Sequence, residues 1–370
     1  MMVNFLLTYC GLWLLGLLFS ALRFAWVRPP AGLPAPTEVQ GFPSVSILVA
    51  ARNEAAALPR CLAALRALHY PLARLEILVG DDGSTDGTAA VAEAALRGYA
   101  GAARVLPIVG TRGAARGKAN VLAQLAEAAK GEVFFITDAD IAVPPTWLGA
   151  LLAAARPGVG IVTGITAVRG PRLFDELQGM DWLLSLALVQ VVSDLGRPVT
   201  AMGNNMLVTR AAYEATGGYA ALPFSVTEDY ALFRAVLARG YGFGHVFAAP
   251  ARADSLPMPS WGALLTQRRR WLRGVQALPL RLRLELAAYS TIWPALAALA
   301  VVAGPGVVLG VWGWKIAVQG LLTGLAFRRA GLRMPWGLLP LFELYTLAIT
   351  AFVTWAQVRG GKVVWKGRSY

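Results

Sequence analysis

Apolar and polar residues follow two regimes along this chain. Residues 4–22 are almost wholly apolar, about the length a hydrocarbon core requires of a helix, with Arg23 and Arg28 after the run and no basic residue before it. The positive-inside rule then puts the N-terminus outside and the following chain in the cytoplasm. A cleaved signal peptide would carry its charge ahead of the apolar run, so residues 1–28 are expected to remain as an anchor. Proline-rich residues 29–43 read as a stiff, extended linker. Beyond them, short β-rich runs alternate with helical periodicity: strands at 45–50, 75–79 and 105–109, helices at 55–68 and 119–130, and a fourth strand through Phe134 and Phe135. Such βαβ alternation predicts an α/β domain with a mostly parallel sheet, over residues 44–258. A helix ending at residue 155, a strand at 160–168 and a helix at 230–239 complete it. Residues 173–192 are mostly apolar but carry Asp175, Glu176, Gln178 and Asp181, which suits a membrane-facing helix better than a span. Residues 259–286 hold a basic, tryptophan-bearing amphipathic helix expected in the membrane interface. Residues 287–358 contain apolar segments at 287–303, 306–327 and 336–358, of which two or three span, and a basic tail occupies 359–370.

Composition supports the membrane reading. The 370 residues are 56% hydrophobic and only 15% charged, and the mean hydropathy of +0.54 exceeds that of ordinary soluble proteins. The formal net charge of +13 fits anionic lipid or a polyphosphate substrate better than nucleic acid, because the basic residues gather beside apolar segments. Cys10 and Cys61 lie on opposite sides of the anchor's end, so no disulfide framework is expected and the soluble part suits a reducing compartment. Nothing in the pattern marks an oligomer interface.

Two carboxylates two positions apart, Asp138 and Asp140, close the fourth strand. Alternate side chains share a face of a strand, so the pair can grip one hard cation, Mg²⁺ or Mn²⁺, where the chain leaves the sheet. A lone Asp-x-Asp is more often just an acidic turn, so its neighbours decide. The second strand ends in Gly80-Asp81-Asp82-Gly83-Ser84-Thr85-Asp86-Gly87-Thr88, leaving carboxylates at the carboxyl edge of a parallel sheet, where α/β folds bind ligands. Asp86 reads as a cap of the next helix and not as a ligand contact. A basic loop, residues 112–118, precedes the next helix. Gly203-Asn204-Asn205 offers amides at a tight turn. Thr227-Glu228-Asp229 falls at a helix start, where the dipole favours an ionised carboxylate.

Taken together, Ala51-Arg52-Asn53-Glu54 after strand one, the Asp81-to-Thr88 run after strand two, Gly117-Lys118-Ala119-Asn120 and Thr137-Asp138-Ala139-Asp140 resemble a family-two glycosyltransferase with the GT-A fold. The resemblance continues through Gly203-Asn204-Asn205, Thr227-Glu228-Asp229 and Gln267-Arg268-Arg269-Arg270-Trp271, over roughly residues 43–274. The single anchor, the later membrane segments and the ending Val364-Trp365-Lys366-Gly367-Arg368-Ser369-Tyr370 most resemble the ceramide glucosyltransferase-like branch, which glycosylates membrane lipids.

The resemblance implies a UDP-sugar donor. Ala51, Arg52, Glu54 and Asp82 would contact uracil and ribose, although Asp81 could serve as well as Asp82, and Lys118 would lie near the pyrophosphate or base. Asp140 would be the more direct ligand of the Mg²⁺ or Mn²⁺, with Asp138 nearer the sugar and ribose. Glu228 and Asp229 would form the catalytic pair, Asp229 being the base that deprotonates the acceptor so that transfer inverts the anomeric centre. Gly203, Asn204, Asn205, Gln267, Arg270 and Trp271 would serve diphosphate and acceptor, while Arg268, Arg281 and Arg283 would serve lipid attraction. The expected protein is thus an integral protein of a bacterial-type inner membrane, its catalytic domain cytoplasmic. A processive polysaccharide synthase shares Gln-x-x-Arg-Trp, but three later spans are few for a polymer channel. A non-catalytic scaffold should lack the base or a metal ligand, and none is missing here.

Overall fold

The computed structural model describes residues 1–27, 41–276, 278–359, 364–365 and 368–369, so most of the expected linker and basic tail fall outside it. The chain divides into two compact units. One comprises Met1–Arg28, Gly170–Val199 and Pro257–Tyr370; the other comprises Pro29–Arg169 and Thr200–Leu256. After the N-terminal helix α1 (Met2–Trp26), the second unit opens with β1 (Val45–Ala51), α2 (Leu58–Arg66), β2 (Leu75–Asp81), α3 (Thr88–Leu96), β3 (Ala102–Pro107), α4 (Lys118–Ala128) and β4 (Val133–Asp138). There follow β5 (Ile141–Ala142), α5 (Trp147–Leu152), β6 (Val159–Thr163) and β7 (Ile165–Val168). The chain then enters the first unit as α6 (Leu173–Asp194) and returns as β8 (Asn205–Thr209), α7 (Arg210–Ala215), α8 (Gly218–Ala221), α9 (Glu228–Ala238), β9 (Gly242–His245) and β10 (Arg252–Ser255).

The main sheet has the order β3-β2-β1-β4-β8-β6-β9. β3, β2, β1 and β4 run parallel; β8 is antiparallel to both β4 and β6, and β9 is parallel to β6. A smaller sheet has the order β5-β10-β7. The expected mostly parallel α/β fold is therefore present. Central strands covered on both faces read as unbroken apolar runs, and Val45, Ile47, Leu48 and Val49 are accordingly buried, as are Ile77, Leu78 and Val79. On one face Phe135 meets Trp147 edge-on at 4.9 Å within a core that includes Leu58, Leu62, Val79 and Leu207.

The strand expected at 160–168 is two strands in different sheets. Gly164 divides them: a Cβ there would lie 2.6 Å from the Ala251 carbonyl oxygen and from the Asn205 side chain. The close approach lets Asn205, fully buried, donate through Nδ2 to the Ile165 and Ala251 carbonyls at 2.7 and 2.9 Å and accept from Trp147 Nε1 at 2.7 Å.

In the other unit, α1 is joined by α10 (Trp261–Gln276), α11 (Leu280–Ser290), α12 (Ile292–Ala303), α13 (Pro305–Arg329) and α14 (Leu339–Arg359). Among the described residues, four stretches are long and apolar enough to cross a membrane: Met2–Trp26, Leu280–Ala303, Pro305–Arg329 and Trp336–Ala356. All three C-terminal segments qualify, including the one carrying Lys315. α1 and α13 run parallel, because Lys315 lies 6.0 Å from the Trp13 ring while Arg329 donates to the Phe24 and Val27 carbonyls at the end of α1. α14 runs back along α13, Glu343 pairing with Lys315. α6 packs among these helices as one continuous 22-residue element. Cys10 and Cys61 are buried free thiols.

Candidate active site

Strand register aligns the motif carboxylates. Ala51 at the end of β1 stands opposite Asp81 at the end of β2, and Ala50 stands opposite Asp138 at the end of β4. β1 is the strand from which the sheet is built in both directions, so this edge is the topological switch where doubly wound sheets bind ligands.

Two loops are stitched across that edge. The Asn53 N–H donates to Ser84 Oγ at 2.9 Å, and Asn53 Oδ1 accepts from the Thr85 N–H at 2.9 Å. Asn53 does this at φ 54°, the sole non-glycine positive φ among the described residues and a region that asparagine tolerates better than most side chains. Glu54 N–H donates to Thr88 Oγ1, and Ala55 N–H donates to Asp86 Oδ2 at 3.0 Å. Asp86 also accepts from Thr88, whose hydroxyl and then the Ala55 amide hold its carboxyl below the usual range. Its work is to staple the two loops; the expected helix cap is not formed, since Gly87 takes the N-cap position of α3 without a side-chain cap bond. Arg52 Nη1 donates to the Asp82 carbonyl at 2.6 Å and lies 3.4 Å from its carboxylate. Asp81 differs: Oδ2 accepts from the Ser84 N–H at 3.3 Å, while Oδ1 is buried without a hydrogen-bond partner. Of the two acids, Asp81 thus presents an acceptor that a ligand N–H would satisfy.

Lys118 is the hub. From the first turn of α4 its ammonium reaches Asp138 at 2.5 Å and Glu228 at 3.2 Å, and it donates to the Gly203 carbonyl at 3.4 Å. A lysine at a helix N-terminus works against the dipole, and burial also disfavours its charge. The two carboxylates outweigh burial, so its pKa is raised. Asp138 keeps about a third of its side chain exposed. The turn carrying Asp138 and Asp140 is braced from α2: Cys61 Sγ donates to the Asp138 carbonyl at 3.6 Å, and Arg60 donates to the Asp140 carbonyl at 3.2 Å.

Asp229 opens α9. Its Oδ2 accepts from the Gly203 N–H at 2.9 Å and its Oδ1 from the Tyr230 N–H at 2.8 Å. Gly203 is needed there, since a Cβ would sit 2.8 Å from that of Asp229. The helix start alone would favour a low pKa. Burial, and next the adjacent Glu228 charge, override the dipole, Lys118 and the two N–H donors, pushing Asp229 up to about 6. Asn204 turns its Oδ1 to the Thr166 hydroxyl at 3.1 Å, and the Asn205 amide is spent inside the fold, so of this trio Gly203 is the member tied to the acids.

Among the described residues no group of three or more His, Cys, Asp or Glu side chains could hold a metal. Asp138 and Asp140 nevertheless suit Mg²⁺ or Mn²⁺, because a small hard cation is commonly held by one or two carboxylates, with substrate phosphates and water completing its shell. Gln267, Arg270 and Trp271 lie on α10 in the helical unit. Three features were not read from the motifs: the double pairing of Lys118, the Gly203 contact to Asp229, and the α2 brace. A lysine heading a helix without a nearby acid in sequence was a legible sign of the first.

With this geometry in view, the chain can be classified. Residues 8–370 match glycosyl transferase family 21, and the chain belongs to that family. Its relatives include the beta-monoglucosyldiacylglycerol synthases of Synechocystis sp., 27% identical over 275 residues (71% of this chain, 56% of that protein), and of Nostoc sp., 30% identical over 186 residues (49% and 39%). The chain thus spans about half the length of these relatives or less. Among solved structures, the mannosyltransferase PcManGT of Pyrobaculum calidifontis, in complex with GDP-Man and Mn²⁺, has the same fold with a TM-score of 0.57 and 19% identity, covering 97% of both chains.

Proposed function

We propose that this protein is a membrane-bound, metal-dependent, inverting glycosyltransferase that moves a sugar from a UDP-sugar to the hydroxyl of a membrane lipid. The observation that carries the reading is the Lys118 hub, which joins Asp138 to Glu228 beside a partly buried Asp229 at the ligand-binding edge of the sheet. In this reading Asp81 accepts from the uracil ring while Arg52 and Asp82 frame the nucleoside. When bound, Mg²⁺ or Mn²⁺ held by Asp140 and Asp138 supplies charge neutralisation for the departing diphosphate. Lys118, already positioned by two acids, adds a fixed positive charge near the leaving group. Asp229, its carboxylate steered by Gly203 and Tyr230, takes the acceptor proton as the hydroxyl attacks from the face opposite the diphosphate.

The family and the relatives' names support a lipid acceptor, and diacylglycerol is the first to test. Residues 44–258 form the catalytic domain in this proposal, residues 259–286 an interfacial segment bringing Gln267, Arg270 and Trp271 to the acceptor. The four long apolar helices span a bacterial-type inner membrane, with the catalytic domain cytoplasmic and α14 ending on the far side. Purified protein given radiolabelled UDP-glucose, UDP-galactose or UDP-N-acetylglucosamine with diacylglycerol should yield a discrete glycolipid on thin-layer chromatography. A polymer that stays at the origin, or the absence of any labelled lipid, would overturn the proposal.

A further inference from the structure

Two charged residues of the helical unit occupy positions that belong to apolar side chains. Along α10, Leu264, Arg268, Trp271 and Val275 recur at helical spacing and share one face. Leu264 is buried on that face, and the Arg268 side chain is only 11% exposed, which is incompatible with a role in attracting lipid headgroups. α6 has the complementary anomaly: Asp181 is 17% exposed, directly after buried Met180 and before buried Leu183 and Leu184.

The anomalies meet. Arg268 Nη2 donates to Asp181 Oδ2, and the guanidinium lies 4.4 Å from the Trp271 ring and 5.7 Å from the Trp182 ring. The two indoles stack with centroids 4.6 Å apart and planes 30° from parallel. Either charge alone would be buried without compensation, whereas together they are tolerated in one rotational setting of α10 against α6. The planar guanidinium makes that setting narrow, since it must face a carboxylate and an aromatic ring at once.

We infer that Asp181 is a positioning residue: through Arg268 and the Trp182–Trp271 stack it fixes the rotation of α10, and with it the aim of Trp271 and the neighbouring Arg270. The inference rests on the proposed acceptor role of Gln267, Arg270 and Trp271. Without the Asp181 charge, Arg268 has reason to turn toward water and carry Trp271 off Trp182.

The test uses the full chain in detergent–lipid micelles with Asp181→Asn, Arg268→Lys and the exchanged pair Asp181→Arg/Arg268→Asp. The indole stack is read by near-UV circular dichroism, its contribution defined as the signal lost in Trp182→Phe. Asp181→Asn should lose that signal while the chain still unfolds cooperatively, at a lower melting temperature because Arg268 is left without its partner. Its kcat for lipid transfer should fall about a hundredfold, as a misaimed contact to a reacting group can cost, while KM for the UDP-sugar stays put. Arg268→Lys should weaken the signal in the same direction, and the exchanged pair should regain part of both signal and kcat. Should Asp181→Asn keep the stack and its kcat, or lose them only along with cooperative folding, the inference is wrong. If the wild type transfers nothing to lipid, the functional proposal fails instead, and the dichroism of the same variants still judges whether Asp181 positions α10.

Discussion

At Asp229, the proposed base, the two demands on a proton-accepting carboxylate compete: it must be charged to accept a proton, yet basic enough to hold one. The helix start and two backbone N–H donors favour the charge, while burial and Glu228 oppose it, and the balance leaves its pKa at about 6. A base must be deprotonated, so kcat/KM should rise with pH through about 6 and level off above, and Asp229→Asn should abolish transfer while UDP binding persists. A flat profile between pH 5 and 7, or normal turnover by the variant, would remove Asp229 from this role. Stability should move the opposite way. A folded-state pKa above the unfolded value near 4 means the native state binds more protons between the two, so stability declines as pH rises through that window. The melting temperature of Asp229→Asn relative to wild type should therefore rise from pH 4 to pH 7.5, on top of a pH-independent loss for the N–H of Gly203 or Tyr230 from which the amide cannot accept. Such a trade between activity and stability is expected where a carboxylate is held in an unfavourable setting for use. Strand alternation put Asp138 and Asp140 on one face, but only the neighbouring motifs turned that pair from an acidic turn into a site candidate. Lys118 was legible as a lysine in need of partners, but which partners was not, because Asp138 and Glu228 come from distant stretches that only the fold brings to it.

Element by element, the sequence was readable where a pattern is local. The strand–helix alternation through β4 gave the parallel half of the sheet, although α2 begins at Leu58 and not residue 55, because Glu54 and Ala55 are engaged with Thr88 and Asp86. The antiparallel β8 was hidden behind Gly203-Asn204-Asn205, which has the composition of a turn. The split at Gly164 was hidden too: Val162, Thr163, Ile165 and Thr166 have equal β propensity, and only the approach of Asn205 and Ala251 separates β6 from β7. Asn205 is therefore an element-level device linking three segments. Asn205→Ala leaves Trp147 Nε1 and the carbonyls of Ile165 and Ala251 without their partner. Each buried polar group so orphaned costs about 1–3 kcal/mol. The variant should lose about 3 kcal/mol in urea-dependent pulse proteolysis of the sheet unit, allowing for partial compensation among the three. A loss too small to resolve would mean that water or a neighbour replaces the amide.

Across the whole molecule, the two units handle buried polarity differently. The sheet unit gathers partly buried acids at one edge; the helical unit satisfies its charges internally, Arg329 of α13 on carbonyls at the end of α1, Asp181 of α6 on Arg268 of α10, and Lys315 of α13 on Glu343 of α14. The last pair is the most enclosed. Lys315 Nζ lies 2.5 Å from Glu343, with side chains 2% and 1% exposed; Gln319 bonds to both, Trp312 Nε1 donates to Glu343 at 3.3 Å, and the Trp293 ring lies 4.6 Å from the ammonium. Composition alone made this segment the doubtful span, since an isolated lysine in a hydrocarbon core is costly. Glu343 on the returning helix removes the objection, because the two charges enter together. Their value then lies less in net stability than in the register of α13 against α14, since a matched apolar pair could do equally well energetically, whereas one partner alone is left as an uncompensated charge. Lys315→Met should consequently cost about 3 kcal/mol in a reversible unfolding assay in bicelles, and Glu343→Met a similar amount. Lys315→Met/Glu343→Met should recover most of the loss. If the double variant is no better than the sum of the singles, the pair does not act as a unit and the α13–α14 register must be held by the glycine contacts of Gly320 with Leu339 and Gly324 with Trp336.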